Sequence, residues 1–100
     1  QYTRRPRLDF GLLDRIAHEV AVPLVLHGGS GTSDNDILRA VSLGIAKINV
    51  ATELVTAYCN AFVREVQNRV WGPIASNTAM NALRPVMEKW IHLTQAKGKA

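Results

Sequence analysis

The chain has 100 residues, 47% of them apolar and 20% charged, which suits one soluble globular domain or a piece of one. Seven glycines and four prolines exclude a collagenous or low-complexity chain, and the apolar run from Val20 to Leu26, broken by Pro23, is far too short to span a bilayer. The net charge of +4 collects at Arg4, Arg5 and Arg7 and at Lys89, Lys97 and Lys99. No aromatic residues interleave with these in the way a single-strand groove needs, so the charge predicts a solvated surface suited to an anionic substrate, with neither nucleic acid nor membrane as partner. The basic start has no apolar segment behind it and the lone Cys59 cannot close an internal disulfide. Both features predict a cytoplasmic chain.

From Asp9 the spacing predicts a helix with Leu13, Ile16, Ala17 and Val20 inward and Asp14, Arg15, His18 and Glu19 outward, closed by Pro23. Leu24-Val25-Leu26 reads as a strand buried on both faces, and His27-Gly28-Gly29-Ser30-Gly31-Thr32 as the loop at its carboxyl end. Ser33 opens a second helix, with Asp34 and Asp36 in its first turn, a stripe of Ile37, Leu38, Val41 and Ile45, and Gly44 at its end. Ala46 to Val50 reads as a second buried strand. Thr52 is then expected to cap a long helix with the stripe Leu54, Val55, Tyr58, Cys59, Phe62, Val63, Val66 and Val70, Cys59 serving as a small buried apolar residue. Trp71-Gly72-Pro73 reads as a break. Met80, Leu83, Met87 and Trp90 mark a final helical region in which Pro85 either makes a kink or lies in a first turn.

There is no internal repeat and no flexible linker, so residues 1–100 read as one continuous piece. Helix and strand alternate over the first 70 residues, which predicts an α/β fold with a parallel sheet and right-handed crossovers. Two fully buried strands need neighbours that this sequence does not supply. The expected architecture is therefore the terminal part of a larger α/β fold.

Two loops at strand carboxyl ends are where such folds place their sites. The glycines of His27-Gly28-Gly29-Ser30-Gly31 let the backbone turn tightly and present N–H groups to an anion. Asn49-Val50-Ala51-Thr52 leads into a helix amino terminus, which favours phosphate. Together they suggest a phosphate cradle built from consecutive βα loops. Other motifs fail on detail: Asp34 stands where G-x-G-x-x-G needs glycine, no nucleotide P-loop is present, and Thr32 replaces the last glycine of a G-x-S-x-G elbow. His27, at a strand end beside glycines, is the candidate metal ligand or acid/base; the alternative is a core histidine bonded to backbone. His18 and His92 are expected on the surface.

The runs Leu24-Val25-Leu26-His27-Gly28-Gly29-Ser30-Gly31 and Leu43-Gly44-Ile45-Ala46-Lys47-Ile48-Asn49-Val50-Ala51-Thr52-Glu53-Leu54 closely resemble the class II, metal-dependent ketose-bisphosphate aldolases, which include fructose- and tagatose-bisphosphate enzymes. The resemblance runs from about Pro6 to Val70 and more loosely to the last helix. It implies the C-terminal part of a (β/α)8 TIM barrel: the last two strands with their helices plus a C-terminal helical region, all within a single domain. His27 then resembles one of three histidines that bind the catalytic zinc. Gly28, Gly29 and Ser30 resemble the first half of the site for dihydroxyacetone phosphate, and Asn49, Val50, Ala51 and Thr52 the second half, with Asn49 near the reacting triose.

The implied reaction is reversible aldol cleavage of a ketose 1,6-bisphosphate to dihydroxyacetone phosphate and glyceraldehyde 3-phosphate, with zinc as Lewis acid on the triose carbonyl. A monovalent cation is a further candidate cofactor, and a homodimer or homotetramer the implied assembly. The acid/base aspartate and two further zinc histidines have no matching position here. Residues 49–54 lean toward tagatose-type members, whereas Gly29-Ser30-Gly31 also occurs in the fructose type, and Ala51 replaces an acidic residue common in the latter. A non-catalytic phosphosugar-binding or chaperone-like subunit of the same fold is the alternative, against which the retained His27 argues.

Overall fold

The computed structural model describes residues 6–96 and Gly98. Two compact units make up the chain, one ending at Val50 and the other beginning at Ala51.

In the first unit, Asp9 caps α1 (Phe10–Glu19): its carboxylate accepts the Leu12 amide at 3.0 Å, satisfying one of the free donors of the first turn. Leu13 and Ala17 are half-buried, while Ile16 and Val20 of the expected stripe are exposed. The chain turns extended at Val20, ahead of Pro23, and enters β1 (Leu24–Leu26). After the glycine loop comes α2 (Asp34–Ser42), where the Ser33 hydroxyl accepts the Asp36 amide at 3.3 Å. Ile37 and Ala40 form its buried face, and the Arg39 guanidinium lies 4.2 Å over the Phe10 ring of α1.

β2 (Ile45–Ile48) pairs with β1 in parallel, with Leu24 opposite Ile45, Val25 opposite Lys47 and Leu26 opposite Ile48. Ala46 falls outside that register, because β2 has one residue more than β1. β2 begins one residue earlier than the pattern suggests, so Ile45 opens a strand and does not extend the stripe of α2. The reason lies at Gly44, whose φ of +114° completes the turn there. Within this chain the strands are not covered on both faces: Val25 is 43% exposed, and Ala46 and Lys47 are exposed as well. Among the described residues the sheet has two strands, too few to cover its own faces.

Gly44 cannot be replaced cheaply. Its φ is one that L-residues rarely adopt, and a Cβ there would sit 3.4 Å from the Ala17 Cβ of α1. Gly44→Ala is expected to destabilise the chain by about 1–3 kcal/mol, read from the midpoint of a denaturant titration.

The second unit is helical: α3 (Thr52–Gln67), α4 (Gly72–Asn81) and α5 (Leu83–Leu93), with α3 packed against both others. Thr52 does not cap α3. Ala51 holds the N-cap position and Thr52 is already the first helical residue, so its hydroxyl is past the place from which capping works, and no side chain caps this end. The packed face of α3 comprises Leu54, Ala57, Tyr58, Ala61 and Phe62. Of the rest of the expected stripe, Val55, Cys59, Val63 and Val66 are exposed, which corrects the reading of Cys59 as buried, and the half-buried Val70 lies beyond the end of the helix.

The segment read only as a break begins α4. Pro73 stands in its first turn, where a missing N–H costs nothing, and Ala75 and Ala79 are buried. The final region is thus two helices parted at Ala82, and Pro85 lies in the first turn of α5, the second of the two expected arrangements. Met80 and Met87 are exposed, whereas Trp90 is buried. The Glu53 Oε2 atom accepts both the Trp90 indole N–H at 3.1 Å and the Lys89 ammonium at 3.3 Å, tying the first turn of α3 to α5. Tyr58 and Ser76 hydroxyls join α3 to α4 at 3.2 Å. No helix of the described residues is long and apolar enough to cross a membrane.

Candidate functional site

Parallel pairing brings the carboxyl ends of β1 and β2 alongside each other, and Asn49 uses that proximity three times. Its backbone N–H donates to the Leu26 carbonyl at 2.9 Å, extending the ladder one residue beyond β2. Its carbonyl accepts the Gly29 amide at 3.1 Å. Its side-chain amide nitrogen lies 2.9 Å from the His27 Nδ1. An amide nitrogen can only donate, so in this arrangement Nδ1 accepts and the ring proton resides on Nε2.

The loop between β1 and α2 takes its shape from glycine. Gly28 at φ +70° and Gly31 at φ +84° turn the backbone where a side chain would be strained, and the Thr32 amide closes the turn onto the Gly29 carbonyl at 3.2 Å. His27 and Gly28 are exposed, Gly29 is buried, and Ser30 is only 6% exposed. Within this chain His27 is not a core histidine. The Gly29 N–H, one of the expected anion donors, is already taken by the Asn49 carbonyl. That residue's contribution lies in the turn it permits and in joining the two loops.

Asn49 thus bonds directly to both His27 and Gly29, with Gly28, Ser30 and Val50 beside them in sequence. Ala51 and Thr52 open the second unit at the amino end of α3. The sequence alone does not predict the bond between the Asn49 side chain and His27. The only signal for it is two polar residues at the carboxyl ends of adjacent parallel strands. His18 and His92 are exposed on helices, as the sequence suggests. His18 Nδ1 sits 2.7 Å from the Asp14 carbonyl of its own helix.

Among the described residues, no three His, Cys, Asp or Glu side chains come together to hold a metal ion. The donor set of this segment fits a zinc site as a single exposed imidazole, the others having to come from elsewhere. An apolar groove of about 220 Å³ in the second unit is lined by Leu54, Val55, Tyr58 and Leu83. It contains none of the candidate residues and no polar group to orient a phosphosugar.

The family model described as fructose-bisphosphate aldolase class-II matches residues 1–99. The chain is 44% identical over 99 residues to YdjI of Escherichia coli (strain K12), an alignment covering 99% of this chain and 35% of YdjI. It is 39% identical over 104 residues to the D-tagatose-1,6-bisphosphate aldolase subunit GatY of Klebsiella oxytoca, covering 98% of this chain and 36% of GatY. The crystal structure of the YdjI aldolase from Escherichia coli K12 superimposes with a TM-score of 0.87 at 43% identity, covering 95% of this chain and 36% of that one. The chain spans little more than a third of the length of the curated relatives it matches.

Proposed function

Because the chain belongs to the class-II fructose-bisphosphate aldolase family, we propose that it forms the C-terminal part of a single (β/α)8 barrel and serves reversible aldol cleavage of a ketose 1,6-bisphosphate. In this reading His27 is one zinc ligand, and Gly28, Gly29, Ser30, Asn49 and Val50 shape the phosphate and triose site. Ala51 and Thr52 continue the same run of chain, and their assignment to phosphate rests on the aldolase motif. The observation that carries the proposal is the direct bonding of Asn49 to both His27 and Gly29, which draws the two motifs of the aldolase pattern into one place. The two parallel strands, with the apolar Val25 of β1 exposed in this chain, support a barrel segment whose sheet continues in further strands.

When bound, zinc supplies Lewis-acid polarisation of the triose carbonyl. The chain's own contribution is positional. The paired strand ends fix the His27 imidazole, the glycine turn leaves room for the substrate backbone to approach, and the Asn49 amide stands within reach of a bound triose. An aspartate for proton transfer and the other metal ligands belong to the rest of the proposed barrel. A tagatose-type substrate is favoured over a fructose-type one by residues 49–54 and by the relationship to GatY.

The test is an assay of the full-length enzyme with fructose and tagatose 1,6-bisphosphate, before and after removal of metal by a chelator. Triose phosphate is expected to form from at least one of them, with the tagatose compound the better substrate. Chelation is expected to abolish the reaction and added zinc to restore it. Cleavage that survives complete metal removal, or absence of cleavage of either compound by the zinc-loaded enzyme, would overturn the proposal. The 100 residues alone are expected to be inactive in the same assay.

A further inference from the structure

We propose that Lys47 is a further catalytic residue, an interior cation one layer beneath His27 and Asn49 whose ammonium answers negative charge developing on the bound triose; the inference rests on the proposed barrel and its aldolase reaction. Residues 24–33 and 45–52 carry a single Lys, Arg, Asp or Glu between them, and it is Lys47. It is the third residue of β2 and stands opposite Val25 of β1. Side chains alternate along a strand, so Lys47 shares a face with Asn49, and Val25 shares one with His27. Because the Asn49 and His27 side chains bond to each other, these are the same face. Leu26 and Ile48 pair on the opposite face and are half-buried, whereas Val25 and Lys47 are exposed in this chain. α2 packs against β2, which makes the more covered face the one toward the helices.

In a (β/α)8 barrel the helices lie outside, and the other face of the sheet lines the interior. Lys47 then sits below the strand-end site by two residues, a rise of about 6.6 Å in a parallel strand. Burying its charge without an anion would be costly, and neither run of residues around the site supplies an acid. Strand side chains lean along the strand, and the flexible four-carbon stem of lysine covers that rise. The ammonium thus reaches the polar mouth while the stem stays among apolar side chains.

Aldol cleavage places an anion there. The C3–C4 bond of the ketose breaks, and the C4 hydroxyl gives its proton to the aspartate expected from the rest of the barrel as C4 becomes the aldehyde. The bonding electron pair stays on the triose as an enediolate, which is then protonated at C3. Lys47 donates a hydrogen bond to the charged oxygen and keeps its own proton, so its contribution is greatest while that charge exists.

The experiment compares the full-length, zinc-loaded parent with Lys47→Met and Lys47→Arg on the better of the two ketose bisphosphates, with zinc content and unfolding midpoint measured for each. Lys47→Met is expected to lower kcat by about 10²-fold, the loss typical of removing one donor to a developing oxyanion, with KM changed by less than about threefold. Lys47→Arg keeps the charge and is expected to recover much of that loss. In the parent, dihydroxyacetone phosphate is expected to slow acetylation of Lys47 by acetic anhydride, read by peptide mass spectrometry, a measurement that needs no variant to fold. A folded Lys47→Met with the parent's kcat, or equal acetylation with and without dihydroxyacetone phosphate, would overturn the proposal. So would a loss confined to the unfolding midpoint, which makes Lys47 half of a structural ion pair with the rest of the barrel. These outcomes leave the aldolase reading intact, whereas absence of cleavage by the zinc-loaded parent removes both together.

Discussion

In the full-length enzyme, His27→Ala is expected to lower kcat/KM for ketose bisphosphate cleavage on the order of 10³-fold and to reduce bound zinc in step. The size follows from what is lost. A ligand set short by one imidazole holds its ion more weakly, and a single electrostatic contact to charge developing in the transition state is already worth on the order of 10²–10³ in rate. His27 is exposed in this chain and belongs to a loop, so its removal takes away no core contact here, and the unfolding midpoint should fall only by what the lost ion contributes. Activity and metal content should therefore fall together, while variant and parent, both stripped of metal, should unfold at nearly the same midpoint. His18→Ala and His92→Ala supply the comparison, since both side chains lie exposed on helices outside the two loops. Retention of full zinc content by the His27 variant would remove this residue from the metal site, whatever happened to the rate.

Much of the element order is legible in the residues, and each place where reading fails has a physical cause. Asp9 and Ser33 announce their helices because a short oxygen-bearing side chain placed just before an apolar period has one favourable use, and both make that bond. Thr52 satisfies the same rule in sequence yet stands one residue too late. The φ and ψ of Ala51, at −133° and −56°, decide where α3 begins, and no composition rule fixes them. α4 is missed because its buried positions are Ala75 and Ala79, and small residues leave no apolar period strong enough to separate a helix from a turn that opens with Trp-Gly-Pro.

The stripe on α3 fails differently. Seven of its apolar residues spread over more than one face of the helix, and periodicity alone cannot say which edge packs. Tertiary contact with α4 and α5 selects the edge bearing Ala57 and Ala61, where small side chains let helices approach, and leaves Val55, Cys59, Val63 and Val66 exposed. In the candidate site, the spacing of the two motifs identifies which loops matter. The bond from the Asn49 side chain to His27 depends on strand register, with Leu26 opposite Ile48, and register is a property of the paired sheet that a single strand does not encode.

The largest effect on stability should come from Trp90→Ala, about 3–5 kcal/mol, measured by chemical denaturation of the chain and followed by helical circular dichroism. Trp90 is the largest buried side chain of the second unit, 8% exposed, and there it joins a core otherwise built from Ala61, Ala75 and Ala79. Alanines cannot close over the volume an indole leaves, so the loss of transfer free energy is compounded by a cavity. The indole N–H also bonds to Glu53 Oε2 at 3.1 Å, linking α5 to the first turn of α3. Trp90→Phe separates the two contributions: it keeps most of the apolar contact, loses the donor, and should cost about 1–2 kcal/mol. Against the 5–15 kcal/mol typical of a whole domain, the alanine variant approaches the limit of folding. Equal costs for the two substitutions would mean that the bond to Glu53, and not the filled volume, holds α5 in place; a cost below 1 kcal/mol for Trp90→Ala would mean that α5 contributes little to the fold of this unit.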